Sequence, residues 1–143
     1  MIELLKLPER IHSIKSKDWA KLFDLLKELN RIQQFGELKE EEKLQQGVAK
    51  FPYYIHASIV DRFLEVVREL DIVPNFDWFD WKEGKEILNR KIQDYEELDD
   101  VTLCKLFTII IRSDRFNEGF LVSCFNDGTI QKITSALKSK VSA

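Results

Sequence analysis

Apolar residues recur at helical spacing along most of the chain. The first clear stripe follows the i, i+3, i+4, i+7, i+10 pattern of one helix face and consists of Leu22, Leu25, Leu26, Leu29 and Ile32. Ser16 or Asp18 can accept a hydrogen bond from the free amides at the start of such a helix, and Gly36 can end it. The pattern therefore predicts an amphipathic helix between Ser16 and Gly36.

A second stripe follows a polar stretch. Residues 37–50 include an acidic run from Glu40 to Glu42, which indicates a solvated loop or a frayed helical turn. Pro52 favours an extended Phe51 and can occupy the entry to the next helix, which should stop before Pro74. The apolar positions of that helix are Ile55, Ile59, Val60, Phe63, Val66, Val67 and Leu70.

The segment from Asn75 to Trp81 mixes aromatic residues with carboxylates. Asp77 is well placed as a helix N-cap, and Asp80 puts a second carboxylate in the positive first turn. A helix from about Trp78 to Gln93 is therefore expected. One of its faces would consist of Trp81, Gly84, Leu88 and Ile92.

Residues 101–111 form the most apolar segment of the chain. Asp99 or Asp100 can open a helix here, and a helix that is apolar on nearly all sides belongs in the middle of a domain. A buried strand is the alternative for residues 107–111, because β-branched residues favour strands. The length of the segment and the lack of a partner strand favour the helix.

The remainder completes a helical architecture. Ser113 or Asp114 can cap a following helix, unless the preceding helix continues unbroken, and Asp127-Gly128 indicates a turn before a final amphipathic helix. We expect an all-α fold: one compact domain spanning residues 1–143, with about six helices packed around the apolar helix at about 100–112. Residues 1–15 could form a loosely packed N-terminal segment.

Composition and charge bear on whether the protein binds nucleic acid or a membrane, and on the compartment in which it is found. Hydrophobic residues make up 44% of the chain, and the net charge of -3 gives no overall attraction to nucleic acid or anionic lipid. No apolar stretch approaches the roughly 20 residues of a membrane helix, and the first residues do not resemble a signal peptide. Cys104 and Cys124 lie among apolar residues, which is typical of reduced core thiols in a cytoplasmic protein.

Common catalytic and cofactor motifs are missing from the sequence. It contains no glycine-rich phosphate motif, no Cys-x-x-Cys pair and no EF-hand loop. The two histidines, His12 and His56, are too few for a three-histidine zinc site, and we interpret them as surface or helix-end residues. We therefore expect neither a cofactor nor a metal.

The densest polar cluster directly follows the most apolar segment and contains Arg112, Asp114, Arg115 and Glu118. On a helix, Asp114 and Arg115 would share a face with Glu118, and such a group could bind an anion or position an acid and a base. In the structural interpretation, Arg112 interacts with the helix dipole, Asp114 caps the next helix and Glu118 pairs with Arg115. We favour the structural interpretation.

The second candidate site contains Asp77, Trp78 and Trp81. Exposed aromatic residues beside carboxylates could form a ligand platform or a protein-binding patch, which Tyr53 and Tyr54 could join. Aromatic residues at helical spacing lie more often in the core, because they bury much apolar area. We therefore favour a core role for the two tryptophans.

Four segments together resemble a known protein family: Phe51-Pro52-Tyr53-Tyr54, Phe76-Asp77-Trp78 with Trp81, Ile111 to Gly119, and Asp127-Gly128. From about Trp19 to Leu137 the chain is similar to the domain of unknown function family 6508, which consists of small bacterial and archaeal proteins. The family usually has Cys where this chain has Asn117, so the resemblance implies no shared thiol mechanism at that position. It implies a single domain, but no activity, substrate or partner.

Two functional hypotheses remain. The favoured one is a small cytoplasmic protein-binding or regulatory module that uses residues 78–81 or 114–118. The alternative is a small hydrolase or transferase in which Arg112 or Arg115 holds an anionic group and carboxylates act on it, namely those of Asp77, Asp80, Asp114 and Glu118. This alternative requires the side chains to converge on one open cleft. The sequence predicts neither a small-molecule ligand nor an oligomeric state.

Overall fold

The computed structural model describes residues 2–39, 53–90 and 94–141. The α-helices in these ranges are α1 (Leu7–Ser13), α2 (Ser16–Phe23), α3 (Leu25–Leu29), α4 (Ser58–Leu70), α5 (Lys82–Arg90), α6 (Asp100–Ser113), α7 (Phe120–Asn126) and α8 (Thr129–Val141). Short 3₁₀ helices cover Leu4–Lys6, Trp78–Asp80 and Tyr95–Glu97. The strands β1 (Gly36–Lys39) and β2 (Tyr53–His56) form one antiparallel pair. The predicted all-α class is confirmed, with this short hairpin as an addition.

Helix α6 lies against α1, α5, α7 and α8. It starts where the sequence predicts a cap, because the Asp99 carboxylate accepts a hydrogen bond of 2.7 Å from the Thr102 amide. Seven of its side chains are buried: Leu103, Cys104, Leu106, Phe107, Thr108, Ile109 and Ile110. The β-branched run at its end is helical, as favoured above.

Aromatic rings join α4 to the rest of the core. Phe63 makes edge-to-face contacts with Phe107 and Phe125, with ring centroids 5.6 Å and 5.3 Å apart. Phe35 also packs on Phe125, with ring centroids 5.2 Å apart. Each of these side chains is nearly inaccessible to solvent, and burying one contributes roughly 1.5–3 kcal/mol.

The N-terminal segment packs into the core rather than loosely. Leu7 and Ile11 are four residues apart on α1, and both side chains are buried. The Arg10 guanidinium donates a hydrogen bond of 2.8 Å from Nε to the carbonyl of Leu70 at the end of α4. An apolar pair at helical spacing therefore holds this segment, together with long-range hydrogen bonds from Arg10 and at Ile2.

The predicted helix between Ser16 and Gly36 is shorter than expected. It begins at Ser16, is interrupted at Asp24 and ends at Leu29, although its apolar stripe is buried or half-buried as predicted. The loop expected for residues 37–50 is wrong at its start, because Gly36–Lys39 is a strand. Most of that predicted loop lies outside the described residues.

The second predicted helix starts later than expected. Ile55 belongs to strand β2 and not to the helix, which begins at Ser58. The strand exists because Gly36 pairs with His56 and Lys39 pairs with Tyr53 across the hairpin. Backbone pairing between distant segments overrides a helical pattern of side chains here.

The helix predicted from Trp78 to Gln93 is divided at Trp81. Residues Trp78–Asp80 form a 3₁₀ turn, and α5 begins at Lys82, because Trp81 adopts a non-helical ψ of 87°. The Asp77 side chain makes no capping hydrogen bond. Gly84 and Leu88 are buried and Trp81 is half-buried on the predicted face, whereas Ile92 lies outside the described residues.

Several local predictions hold at the C-terminal end. The Asp127 carboxylate accepts a hydrogen bond of 2.9 Å from the Thr129 amide at the start of α8, after the turn at Gly128. Cys104 and Cys124 are both buried. In the described ranges, every helix is too short or too polar to cross a lipid bilayer.

Candidate binding surfaces

The turn between α6 and α7 is built around Asp114. Its carboxylate oxygen Oδ1 accepts hydrogen bonds from the amides of Gly119, at 3.1 Å, and Leu121, at 3.0 Å. Gly119 has a φ of 93°, a left-handed conformation that glycine adopts without strain. Asp114 therefore binds amides at the start of α7, as a cap would, but it does so from five residues upstream, because Gly119 and not Asp114 is the N-cap residue of α7.

This turn overturns the helical spacing expected for Asp114 and Glu118. Residues 114–119 are not helical, so these carboxylates do not lie one helix turn apart. Glu118 is exposed, and Asp114 is directed at the start of α7. The local reason is that amides of the turn donate hydrogen bonds to the last carbonyls of α6. The Arg115 amide donates to the Arg112 carbonyl, and the Asn117 amide donates to the Ser113 carbonyl.

Arg112 and Arg115 line a groove between α4 and the end of α6, with a volume of about 720 Å³. We call it the arginine groove. Its apolar lining consists of Leu64, Val67, Val73 and Ile111. Its charged lining consists of Arg68, Asp71, Arg112 and Arg115.

A second groove lies on the other side of the α6–α7 turn, with a volume of about 290 Å³. We call it the aromatic groove. Its rings are those of Trp78, Phe79, Phe116 and Phe120, above Leu88 and Ile109. Its polar rim consists of Lys85, Asn89, Ser113 and Asn117.

The two exposed rings of the aromatic groove come from different parts of the chain. Phe79 is 64% exposed and Phe116 is 78% exposed, and Trp78 lies between them. The Trp78 ring centroid is 5.8 Å from that of Phe79 and 6.3 Å from that of Phe116. The ammonium of Lys85 lies 4.0 Å above the Phe79 ring, a cation–π contact that holds this ring at the rim.

Trp81 faces the core instead. Its ring packs edge-on against Phe76, with centroids 5.8 Å apart, and the Lys105 ammonium lies 4.0 Å above it. A side-chain carbon at Gly84 would come within 2.5 Å of the Trp81 ring, so the helix approaches the ring closely only because this residue is glycine. Trp78 and Trp81 are both half-buried and packed against the core, so the core role predicted for them holds only in part, and Trp78 also lines a groove.

Asp77 and Asp80 form an exposed carboxylate pair at the 3₁₀ turn. A hydrogen bond and charge repulsion from Asp77 raise the pKa of Asp80 above its ordinary value of 3.8. Both carboxylates are solvent-exposed, and neither lines the arginine or the aromatic groove. The pair is therefore separate from Arg112 and Arg115.

The predicted site residues thus divide among several places. Arg112 and Arg115 share the arginine groove, and Trp78 lies in the aromatic groove. Asp77, Asp114, Glu118 and Trp81 line neither groove. Within the described part of the chain, no group of three His, Cys, Asp or Glu side chains is arranged to hold a metal ion.

Sequence reasoning missed residues in both grooves. Phe79 and Phe116 were not named as site residues, and their place within the predicted segments 78–81 and 114–118 was the available sign, because single apolar residues at a surface are common. Arg68 and Asp71 carried no such sign, because charged residues near a helix end are common. They are recognised only once α4 is placed beside α6.

One family comparison covers both grooves. The model of a protein family matches residues 14–143, nearly the whole chain. The chain belongs to DUF6508, a family of unknown function. The DUF6508 match includes every residue that lines either groove. No curated protein and no solved structure matches the chain.

Proposed function

We propose that this chain is a small cytoplasmic protein-binding module whose aromatic groove accepts a bulky apolar side chain of a partner protein. The observation that carries the proposal is the exposure of Phe79 and Phe116, at 64% and 78%, around one groove. Covering such rings is favourable at about 25 cal/mol for each Å² of apolar surface removed from water. Large exposed apolar patches with a polar rim are typical of interaction sites.

The groove has the composition expected of a binding hot spot. Aromatic residues are enriched at the centres of protein interfaces, where they surround a partner side chain and exclude water. Trp78 and Phe120 are half-buried, which restricts their movement, and Leu88 and Ile109 form an apolar base on α5 and α6. Rings restricted in this way lose little conformational entropy when a partner binds.

The rim favours an apolar residue with an acidic neighbour as the partner's anchor. Among the described residues that line the groove, Lys85 is the one with a charge, and the amides of Asn89 and Asn117 can hydrogen-bond to a peptide backbone. The groove volume of about 290 Å³ matches side chains rather than a whole cofactor. We therefore infer a protein segment as the ligand.

A displayed library of random peptides tests this proposal. The wild-type protein should enrich peptides with a bulky apolar residue next to Asp or Glu. Phe79→Ser and Phe116→Ser should lose that enrichment, because each removes an exposed ring from the groove. Leu5→Ser is the matched control: Leu5 is 95% exposed and lines neither groove, so its loss should leave the enrichment unchanged.

Three outcomes would overturn the proposal: no enrichment by the wild type, equal enrichment by the two Phe variants, or an equal loss in Leu5→Ser. Sedimentation of the wild type at increasing concentration measures whether the chain associates with itself. Self-association abolished by Phe116→Ser would assign the groove to a second copy of this chain instead.

No observation favours the hydrolase or transferase alternative. Its arginines line one groove, while its four carboxylates line neither groove. The carboxylate of Asp114 is occupied by two backbone amides. The convergence that such chemistry requires is therefore not present among these described side chains.

A further inference from the structure

The arginine groove differs in charge from the chain as a whole. Three arginines and one aspartate line it, so its formal charge is 3 − 1 = +2, whereas the whole chain carries -3. The groove lining is therefore net positive, although Asp61, Glu65 and Glu69 lie on the adjoining surface of α4. Clefts lined by one sign of charge concentrate ligands of the opposite sign.

Asp71, the one acid among the described residues that line the groove, forms a hydrogen bond with the backbone of this chain. The Asp71 carboxylate accepts a hydrogen bond of 3.2 Å from the Ile2 amide, which holds the N-terminal segment against the end of α4. Asp71 also ends α4 in a left-handed conformation, with a φ of 54°. The contacts of Asp71 with the surrounding backbone thus explain its role. Its single negative charge does not neutralise all three guanidinium groups.

Arg68 and Arg115 differ from Asp71, because no hydrogen bond or ion pair within the described residues holds their guanidinium groups. Neither forms an ion pair with an acidic side chain within the described residues. Arg115 is also not needed as a cap for α6, because the Arg112 carbonyl accepts the Arg115 amide and the Ser113 carbonyl accepts the Asn117 amide. Both side chains are exposed and can donate hydrogen bonds to a ligand.

The lining between these arginines is apolar. Val67 is buried, and Leu64, Val73 and Ile111 are half-buried and form the remaining apolar surface. A volume of about 720 Å³ lies within the range of small-molecule sites. A ligand that matches this groove has an apolar body and an anionic head.

We propose that the arginine groove binds a small carboxylate with an apolar body, such as a medium-chain carboxylic acid in its ionised form. The carboxylate would lie between Arg68 and Arg115, since the planar guanidinium matches the two oxygens of a carboxylate. The hydrocarbon body would cover Leu64 and Ile111. This site is separate from the aromatic groove and does not depend on the function proposed for it.

The surroundings exclude a long polyanion as the occupant. Asp61, Glu65 and Glu69 lie on the adjoining surface of α4, next to Leu64 and Arg68. An extended nucleic acid or an anionic membrane surface that reached the groove would meet these carboxylates. A compact ligand with a single negative charge fits within the groove.

Calorimetric titration of the 143-residue chain with decanoate, below the concentration at which decanoate forms micelles, tests the proposal. Decanoate should bind at one site, whereas acetate, 1-decanol and decyltrimethylammonium should bind at least tenfold more weakly. Acetate lacks the apolar body, the alcohol lacks the charge, and the ammonium compound has the opposite charge. Vesicles that carry anionic lipid should not bind.

Arg115→Gln and Arg68→Gln should each weaken decanoate binding by about tenfold or more, because each removes a charge-assisted hydrogen bond. Arg31→Gln is the matched control, since Arg31 is exposed and lines neither groove. Thermal melting checks that each variant remains folded.

Equal binding of decanoate and 1-decanol would overturn the proposal, as would unchanged affinity in both groove variants or no binding by the wild type. Binding to anionic vesicles without binding of monomeric decanoate would assign the groove to a lipid surface and would also overturn it.

Discussion

The Asp114 carboxylate accepts a hydrogen bond of 3.1 Å from the backbone amide of Gly119, five residues further along the chain. The same oxygen accepts the amide of Leu121, so one side chain satisfies two amides at the start of α7. This arrangement separates the two grooves, because Arg115 lies on one side of the turn and Phe116 on the other. The Asp114 carboxylate, a candidate catalytic acid in the sequence, thus stabilises the turn between the two grooves.

Replacing Asp114 tests how much its carboxylate stabilises the α6–α7 turn. Asp114→Ala should lower the free energy of unfolding by about 1–2 kcal/mol, because two backbone amides lose their acceptor. Asp114→Asn keeps a side-chain oxygen and should lose less. Urea denaturation of the three proteins measures the difference, and an Asp114→Ala variant as stable as the wild type would show that this turn does not depend on the carboxylate.

The cap of α6 predicts a pH dependence. Hydrogen bonds from Thr102 lower the pKa of Asp99 below its ordinary value of 3.8. A carboxylate with a lowered folded-state pKa stabilises the protein above its unfolded-state pKa, and that contribution is lost as the pH falls through the folded-state pKa. Asp99→Asn should therefore be less stable than the wild type at neutral pH, by about 0.5 kcal/mol.

The difference between the wild type and Asp99→Asn should stay constant from neutral pH down to about pH 5 and shrink below 3.8. Urea denaturation of both proteins across this range measures it, and all other titrating groups are shared by the pair. A difference that grows as the pH falls would contradict the lowered pKa.

Side-chain periodicity predicted most of the helices because each depends on residues close together in the chain. The stripe on α4 and the apolar run on α6 are examples: both segments bury residues such as Phe63 and Phe107 as expected. The hairpin could not be predicted in this way. Its pairing of Lys39 with Tyr53 joins segments on either side of a polar stretch, and no local pattern records it.

The candidate sites were harder to predict, because each is assembled from distant segments. The sequence cluster from Arg112 to Glu118 is divided by the Asp114 turn, and its arginines meet Arg68, more than forty residues earlier in the chain. The aromatic groove likewise joins Phe79 to Phe116. Spacing along the chain identified Arg112 and Arg115 in one groove and Trp78 in the other, and the remaining lining residues were brought together only by the packing of the helices.

Gly84 allows α5 to approach the Trp81 ring, and its replacement should be costly. In Gly84→Ala the new carbon would lie 2.3 Å from Trp81 Cε3 and 2.5 Å from Ile109 Cδ1. Alanine favours a helix over glycine by about 1 kcal/mol, but overpacking a filled core costs about 1–3 kcal/mol. Because a rigid ring cannot move aside easily, we expect net destabilisation of about 1–2 kcal/mol.

Thermal and urea denaturation of Gly84→Ala measure this effect, and a change in tryptophan fluorescence should accompany it. Lys82→Ala, at an exposed position on the same helix, is the control and should change stability by less than about 0.5 kcal/mol. Stabilisation of Gly84→Ala would mean that helix propensity outweighs the contact with Trp81.

The two thiols should be inert in the folded protein. Burial raises the pKa of the Cys104 thiol well above its usual range, which removes the reactive thiolate. Cys104 is inaccessible to solvent and Cys124 is 5% exposed, so a thiol reagent at about pH 8 should modify neither on the timescale of mixing. Both should react once denaturant is added. In Cys124→Ala only Cys104 remains, so this variant shows which thiol causes any residual reaction. Rapid modification of the folded variant would contradict the prediction. It would show that α6 opens to solvent far more readily than its packing against α1, α5, α7 and α8 allows.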